Sequence, residues 1–502
     1  MSTFYITCAI DYPNSPPHLG TAYEKIAADA IARYQRLAGS EVRFLMGLDE
    51  HSQNVEQRAL ERGLKPLAYC DRMASVFSDT WRALRVENNA FIRTSEARHK
   101  RSVVEMLRRI HESGDIYTGV YVGWYCVGCE AYYLERDLVD GNCPQHLSKP
   151  DWREEKNAFF RLSRYTMPLL EHMQAHPEFV RPEARRNEVL AVLNEGLEDI
   201  SISRRGSEWG IAMPGHPGQV VYVWFDALTN YITDLGFPDT TGEFEHYWPA
   251  GIHLVGKDIT RFHSLIWPAM LMSAGLDLPT MVFGHGFVQR GGGRMSKTIG
   301  NVIDPIDAAR DVGIDALRYF LLREVPFGRD LDFDLDRLQQ RYNAELANDL
   351  GNLLQRTVSM ARKYRECVLR CPIKSRTVLA SEAAGALDQY AAAFADYDVQ
   401  GALKATWKLI GAANLAIENE KPWVLASGGD EVGLDAVLAE VWLVLRQIAW
   451  MIWPVMPERA ETLARQLGVD ADGSSWRFSH LEEKVVWPQR LQPGEPLFPR
   501  LE

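Results

Sequence analysis

The feature that most constrains this chain lies in its first fifty residues. Phe4-Tyr5-Ile6-Thr7-Cys8-Ala9-Ile10 and Val42 to Leu48 are short apolar runs, rich in β-branched and aromatic side chains. That is the pattern of strands covered on both faces. Between them, Ala22 to Ala38 repeats apolar residues near a 3.6-residue period, at Ile26, Ala30, Ile31, Tyr34 and Leu37, until Gly39 stops it. Strand, helix and strand of this kind open a parallel, doubly wound α/β sheet. Such sheets bind ligands beyond the carboxyl ends of their strands. Two polar clusters stand there, His18-Leu19-Gly20 and Asp49-Glu50-His51.

The first turn contains no Gly-x-Gly-x-x-Gly, so a dinucleotide fingerprint is absent. Prolines 13, 16 and 17 lead instead into one imidazole and one glycine at a helix mouth. Glycine lets a flat ring approach the backbone, the helix N-terminus favours anions, and His18 can donate to a phosphate. Alone, the stretch fits equally a rigid turn with a solvated histidine. Far downstream, Gly291-Gly292-Gly293-Arg294-Met295-Ser296-Lys297-Thr298 is a flexible glycine loop with two cations. Ser296 stands where a Walker loop needs glycine, and no strand-to-helix setting surrounds it. Lys297 could close on the phosphates of a nucleotide held near His18. Alone, this loop fits equally a basic hairpin tip.

A chain of 502 residues divides into about three domains. The net charge of −12 excludes a global basic field, so any RNA must be held by local patches. Met1-Ser2-Thr3 lacks a basic leader, and the chain is expected without a secretory signal. Ala436 to Met456 is apolar but carries Glu440, Arg446 and Gln447, which suits a bundle helix better than a membrane span. Seven cysteines in such a chain suit reduced thiols and a cytoplasmic location.

Cys126-Val127-Gly128-Cys129, thirteen residues, then Cys143-Pro144-Gln145-His146 form two knuckles. Three thiols and an imidazole at this spacing predict one closed, structural tetrahedral Zn²⁺ site in an insertion too small for its own core. The rival, a redox Cys-x-x-Cys, lacks a thioredoxin-like setting and leaves the second knuckle unexplained. Later apolar strands at His253 to Gly256 and Met281 to Gly284 add Lys257, Asp258 and His285 to the crevice. Trp224, Ala227, Leu228 and Tyr231 have helical spacing, and Ala227 reads as core. From Thr298 the periodicity is helical: one helix from Ile306 to Leu322, a long one from Leu335 to Tyr364, then a bundle.

Pro-His-Leu-Gly and Arg-Met-Ser-Lys-Thr together resemble the two signatures of class I aminoacyl-tRNA synthetases. Across its length the chain is similar to the methionyl-tRNA synthetase family. The resemblance implies a Rossmann-like catalytic domain with a zinc-bearing insertion, followed by an α-helical anticodon-binding domain. It implies activation of L-methionine by ATP with Mg²⁺, then transfer to tRNA(Met). His18 and Lys297 would be catalytic, with Gly20, Thr21, Arg294 and Ser296 completing the ATP site. Asp49 would hold the methionine ammonium. Ile10, Tyr12, Trp224, Leu228, Tyr231, Ile259, Phe262, His263 and Trp267 would shape the pocket. Asn352, Arg356 and Trp423 would read the anticodon. Two departures stand out: Thr21 where the family has a second histidine, and Ser52 where it has glycine.

The expected division is 1–117 and 216–325 for the catalytic halves, 118–215 for the insertion, 326–345 for a linker and 346–502 for the bundle with its tail. A monomer is expected, since a dimerising C-terminal module of some members is missing. Three rivals remain: a class I synthetase for another amino acid such as cysteine, a nucleotidylyltransferase, and a zinc-finger RNA-binding module. The second has little need of the bundle, and the third leaves His18 and Lys297 without work.

Overall fold

The computed structural model describes residues 2–127, 131–133, 135–144, 147–205, 208–249, 251–295, 300–372 and 378–501. Its centre is a six-stranded parallel sheet: β1 (Thr3–Cys8), β2 (Glu41–Leu48), β3 (Ala90–Arg93), β4 (Val180–Arg181), β5 (Ile252–Gly256) and β6 (Val282–His285), in the order β3-β2-β1-β5-β6-β4. Ile6 of β1 lies opposite Phe44 of β2 on one side and Ile252 of β5 on the other. Strand order departs from β1 in both directions, so the crevice at the carboxyl ends of β1 and β5 is the switch point of the winding. Two-residue β4 escaped detection because it has no periodicity. It returns part of the expected insertion, 118–215, to the edge of the central sheet.

Helix α1 (Leu19–Leu37) crosses from β1 to β2 and is buried almost all round, including Glu24, Lys25, Asp29 and Arg33. Such charges survive burial only when paired. Asp29 accepts from Arg33 Nε at 2.8 Å and from Arg318 Nη2 at 2.6 Å. Arg318 also donates to the carbonyls of Leu84, Pro454 and Val455, joining α1 to the C-terminal helices. One apolar core unites the α1 side of the sheet with those helices; a second covers much of the opposite face.

The insertion is an antiparallel ladder between Ile116–Cys126 and Asp151–Phe160, with Ala131–Tyr133 paired to its end. Val120, Val122 and Trp152 are exposed there, while Tyr125, Cys126 and Cys143 are buried.

The single helix expected from Ile306 to Leu322 is two, Pro305–Ala308 and Ile314–Arg323. Gly313 separates them at φ +85°, a left-handed conformation open to glycine. The long helix runs from Leu335 to Arg365 with π-helical turns at Tyr342–Gly351. Helices Leu379–Ala395, Val399–Glu420, Glu431–Ile452 and Pro457–Leu467 follow. Among the described residues no helix is long and apolar enough to cross a membrane. The tail folds back, with Leu497 and Phe498 buried and Tyr342 donating to the Pro499 carbonyl.

Asp29→Ala removes the carboxylate shared by two buried guanidinium groups, and chemical denaturation is expected to show a loss of about 3–5 kcal/mol. A loss below about 1 kcal/mol would mean that water or other acceptors satisfy both groups.

Candidate active site

His18 precedes the first turn of α1 in extended conformation, and its Nδ1 accepts the backbone N–H of Thr21 at 3.2 Å. That bond leaves the ring proton on Nε2, the nitrogen that can donate to a bound group. The Thr21 hydroxyl stands 3.5 Å from the same Nδ1. A β-carbon at Gly20 would come within 2.9 Å of the His18 ring. Glycine here makes room for that imidazole, a closer reason than the room for a flat ligand ring expected from sequence. Ser52 caps the helix Gln53–Glu61, its hydroxyl accepting from Val55 N at 3.2 Å.

A crevice of about 630 Å³ opens at the switch point. His18, Gly20 and Thr21 line it, together with Asp11, Glu24, Lys25, Asp258 and His285. So do Ile10, Tyr12, Asp49, Trp224, Leu228, Tyr231, Ile259, Phe262 and His263, of which Trp224, Phe262, His263 and Tyr231 are in ring contact with one another. Ala227, read as core, also faces it. Trp267 does not: it is fully buried behind Tyr231 and donates to His253 Nε2 at 3.2 Å. Lys257, expected in the crevice, pairs with Asp330 at 2.7 Å instead.

The indole of Trp224 stacks on Phe262, with centroids 3.8 Å apart and planes at 9°. His263 donates Nδ1–H to the Ile259 carbonyl and accepts the Tyr231 hydroxyl at Nε2, at 3.0 and 2.7 Å. Burial depresses this imidazole to about 4, so it is neutral near pH 7. The face made by Trp224, Phe262, Tyr231 and His263 is therefore aromatic and uncharged. Behind it Asp226 accepts from His51 and His99, each at 2.7 Å. Burial raises the Asp226 carboxyl, but the two histidines outweigh it and hold it at about 2.

The described part of the glycine loop is a hairpin. Val288–Arg290 and Gly293–Arg294 pair, with Gly291 and Gly292 at φ +62° and +73° in its turn. Met295 then lines the crevice, and Ile303 accepts from Leu19 N at the mouth of α1. Ser296 and Lys297 lie outside the described residues.

Cys126 ends its strand opposite Ala131, and both Cys126 and Cys143 are buried in a module whose other apolar side chains are largely exposed. Buried sulfur donors in place of an apolar core fit a structural zinc site. Cys129 and His146 lie outside the described residues. Tyr133, on the short strand of this module, lines the crevice, a link the sequence spacing did not signal.

In the helical region Asn352 is exposed, and Arg356 pairs with Glu418 at 2.6 Å. Trp423, 38% exposed, opens the helix Pro422–Ser427, which adjoins the helix Asn352–Arg365.

Residues 4–149 and 146–358 match the family described as tRNA synthetases class I (M). A methionine–tRNA ligase of Caldanaerobacter subterraneus subsp. tengcongensis is 44% identical over all of this chain and 79% of its own. One from Mycobacterium tuberculosis is 43% identical, over all of this chain and 98% of its own. The solved Mycobacterium tuberculosis methionyl-tRNA synthetase in complex with methionyl-adenylate superposes with a TM-score of 0.95 at 43% identity, covering all of both chains. The free form of that enzyme gives 0.90 at 40% identity, over all of this chain and 99% of its own. With its switch-point crevice and these full-length similarities, the chain belongs to the class I methionine–tRNA ligases.

Proposed function

We propose that the crevice joins L-methionine to ATP and then passes the methionyl group to tRNA(Met). The observation that carries the reading is one cavity lined both by an imidazole at a helix mouth and by a stacked aromatic face. The methionine carboxylate attacks the α-phosphate, and pyrophosphate leaves. A hydroxyl of the terminal tRNA ribose then attacks the acyl carbon, and AMP leaves.

His18 donates from Nε2 to the α-phosphate as negative charge develops on it. Thr21 lines the same part of the crevice. Lys297 neutralises the leaving phosphates, with Arg294 adding charge and Ser296 a hydroxyl. This is supported by Met295 and Ile303, which flank Ser296 and Lys297 in sequence and both meet the start of α1. Mg²⁺ accompanies the phosphates of ATP. Asp49 pairs with the substrate ammonium. Trp224, Phe262, Ile10, Tyr12, Leu228 and Ile259 enclose the thioether, an unbranched and polarisable group suited to aromatic surface. Tyr231 and neutral His263 form the polar end of the wall, and Trp267 supports Tyr231 from behind.

Cys126, Cys129, Cys143 and His146 would hold one Zn²⁺ that folds the insertion, and Tyr133 connects that module to the crevice. Asn352, Arg356 and Trp423 read unpaired anticodon bases by hydrogen bonding and stacking. The catalytic halves are 1–117 and 216–325, the insertion 118–215, the linker 326–345 and the anticodon unit 346–502. The protein acts as a cytoplasmic monomer.

Methionine-dependent ATP–pyrophosphate exchange, run beside cysteine, leucine, isoleucine and valine, tests the reading. Exchange with methionine alone is expected; exchange with another of these amino acids would discard the pocket assignment. His18→Ala should lower kcat for exchange by about 100- to 1000-fold, with little change in the methionine KM. Cys126→Ala should abolish bound zinc and unfold the insertion, read as loss of metal content and of a thermal transition. Unchanged stability and no zinc in the parent protein would sink that assignment. Trp423→Ala should weaken tRNA aminoacylation while leaving pyrophosphate exchange near the parent level. Equal losses in both assays would remove Trp423 from the anticodon site.

A further inference from the structure

Beneath the crevice lies a line of ionisable side chains with no part in the chemistry above. Lys25, on the second turn of α1, is 1% exposed. Its ammonium has three hydrogens and three acceptor groups. It donates to the Ala9 carbonyl at 3.0 Å, to the Glu24 carboxylate at 2.7 Å and to the Asp11 carboxylate, both of whose oxygens stand 3.0 Å away. Glu24 in turn meets His285 Nε2 at 2.8 Å, and the other ring nitrogen of His285 meets the Gly286 carbonyl at 2.8 Å. Asp11, Glu24, Lys25 and His285 all line the crevice.

The contacts define a bridge. Ala9 and Asp11 flank Ile10 in the segment leaving β1, which also carries Tyr12 into the amino-acid part. Lys25 is four residues beyond Thr21, one turn down the helix whose mouth carries His18, Gly20 and Thr21. Along the chain these parts are joined by the segment Pro13 to Pro17. Through space Lys25 ties them directly. An ammonium with every hydrogen engaged cannot donate to substrate, so its effect must pass through the groups that it holds.

Burial pushes the Lys25 ammonium toward its neutral form, but Asp11 and Glu24 outweigh this and raise its pKa. Burial also raises Glu24, and Lys25 with His285 reverses the effect, holding it at about 2. The lysine is therefore charged, and so is its closest partner. Replacing such a group would leave carboxylates buried without a counter-charge.

We propose that Lys25 is a positioning residue that clamps the Ile10–Tyr12 segment to α1 and so sets the methionine carboxylate against the α-phosphate. The inference rests on the methionine–ATP reading of the crevice. A clamp between two intact binding parts acts on their mutual placement. A misplacement of about 1 Å between reacting groups costs on the order of 100-fold in rate, while each part can still hold its own ligand.

The test is Lys25→Met, with Asp11→Asn as a second variant that keeps Lys25 paired with Glu24 and the Ala9 carbonyl. In Lys25→Met, kcat for methionine-dependent exchange is expected to fall about 100-fold, and in Asp11→Asn about tenfold. Separate dissociation constants for methionine and for ATP, measured by calorimetry, should stay within about threefold of the parent. If Lys25→Met does not fold, Asp11→Asn decides alone. Unchanged kcat, or losses of both affinities matching the loss of kcat, would overturn the clamp while leaving the functional reading intact. A parent protein without methionine-dependent exchange would overturn that reading and the clamp with it.

Discussion

The molecule depends on the ion pairs that hold helix α1 in place. A helix with one wet face takes its rotation from its apolar stripe. α1 is enclosed on nearly all sides, so apolar contact alone sets its rotation poorly. Four charges do so instead. Glu24 and Lys25 turn toward the crevice and meet His285 and Asp11, while Asp29 and Arg33 turn toward Arg318, Glu87 and the Arg85 carbonyl. These partners come from four separate stretches of sequence. Apolar replacements of equal volume would bury as well, but they would not select one rotation. The direction of His18, at the mouth of this helix, is a consequence of that selection.

The sheet converts this placement into a two-part site. Successive residues leaving β1 take different sides: Asp11 turns to Lys25 on the α1 side, and Ile10 packs with the core of the opposite face. One strand end thereby contributes to both parts of the crevice. That economy follows from the two-residue period of extended chain and from the switch point, where no crossover covers the strand ends. The aromatic wall is secured in the same manner. Asp226 sits in the short helix Val223–Ala227 between Trp224 and Ala227, and its carboxylate reaches His51 just beyond β2 and His99 on another helix. Charged or polar buried groups fix the placement, and apolar surface supplies most of the burial energy.

Much of this was legible from sequence where a signal repeats. β1, β2, β5 and β6 are apolar runs, and four strand ends with polar tails foretold the crevice. What failed to show is local or relational. Val180–Arg181 is too short to carry a period, and Gly313 breaks a helix through its own backbone conformation. Lys257 stands at a strand end like its neighbours, yet Asp330, more than seventy residues away, draws it aside. Lys25 carries no signal of its own within a helical run. Only the arrival of Asp11 and Ala9 reveals it as buried. Trp267 has the right chemistry for the pocket wall but lies one layer behind it, a distinction that spacing along a helix cannot make.

The two departures from the family signatures illustrate how much of a motif belongs to the backbone. Ser52, where glycine is usual, caps the helix Gln53–Glu61 and so gives that helix an acceptor for one of its unsatisfied N–H groups. Thr21 holds His18 through its main-chain N–H, a donor present whatever side chain stands there. The tautomer and aim of His18 are therefore independent of the missing imidazole. A second histidine at that position would not add orientation to the first. The placement of the groups around His18 falls instead to the fold, to the contacts of Lys25 beneath the crevice and to the hairpin that carries Met295 to its edge.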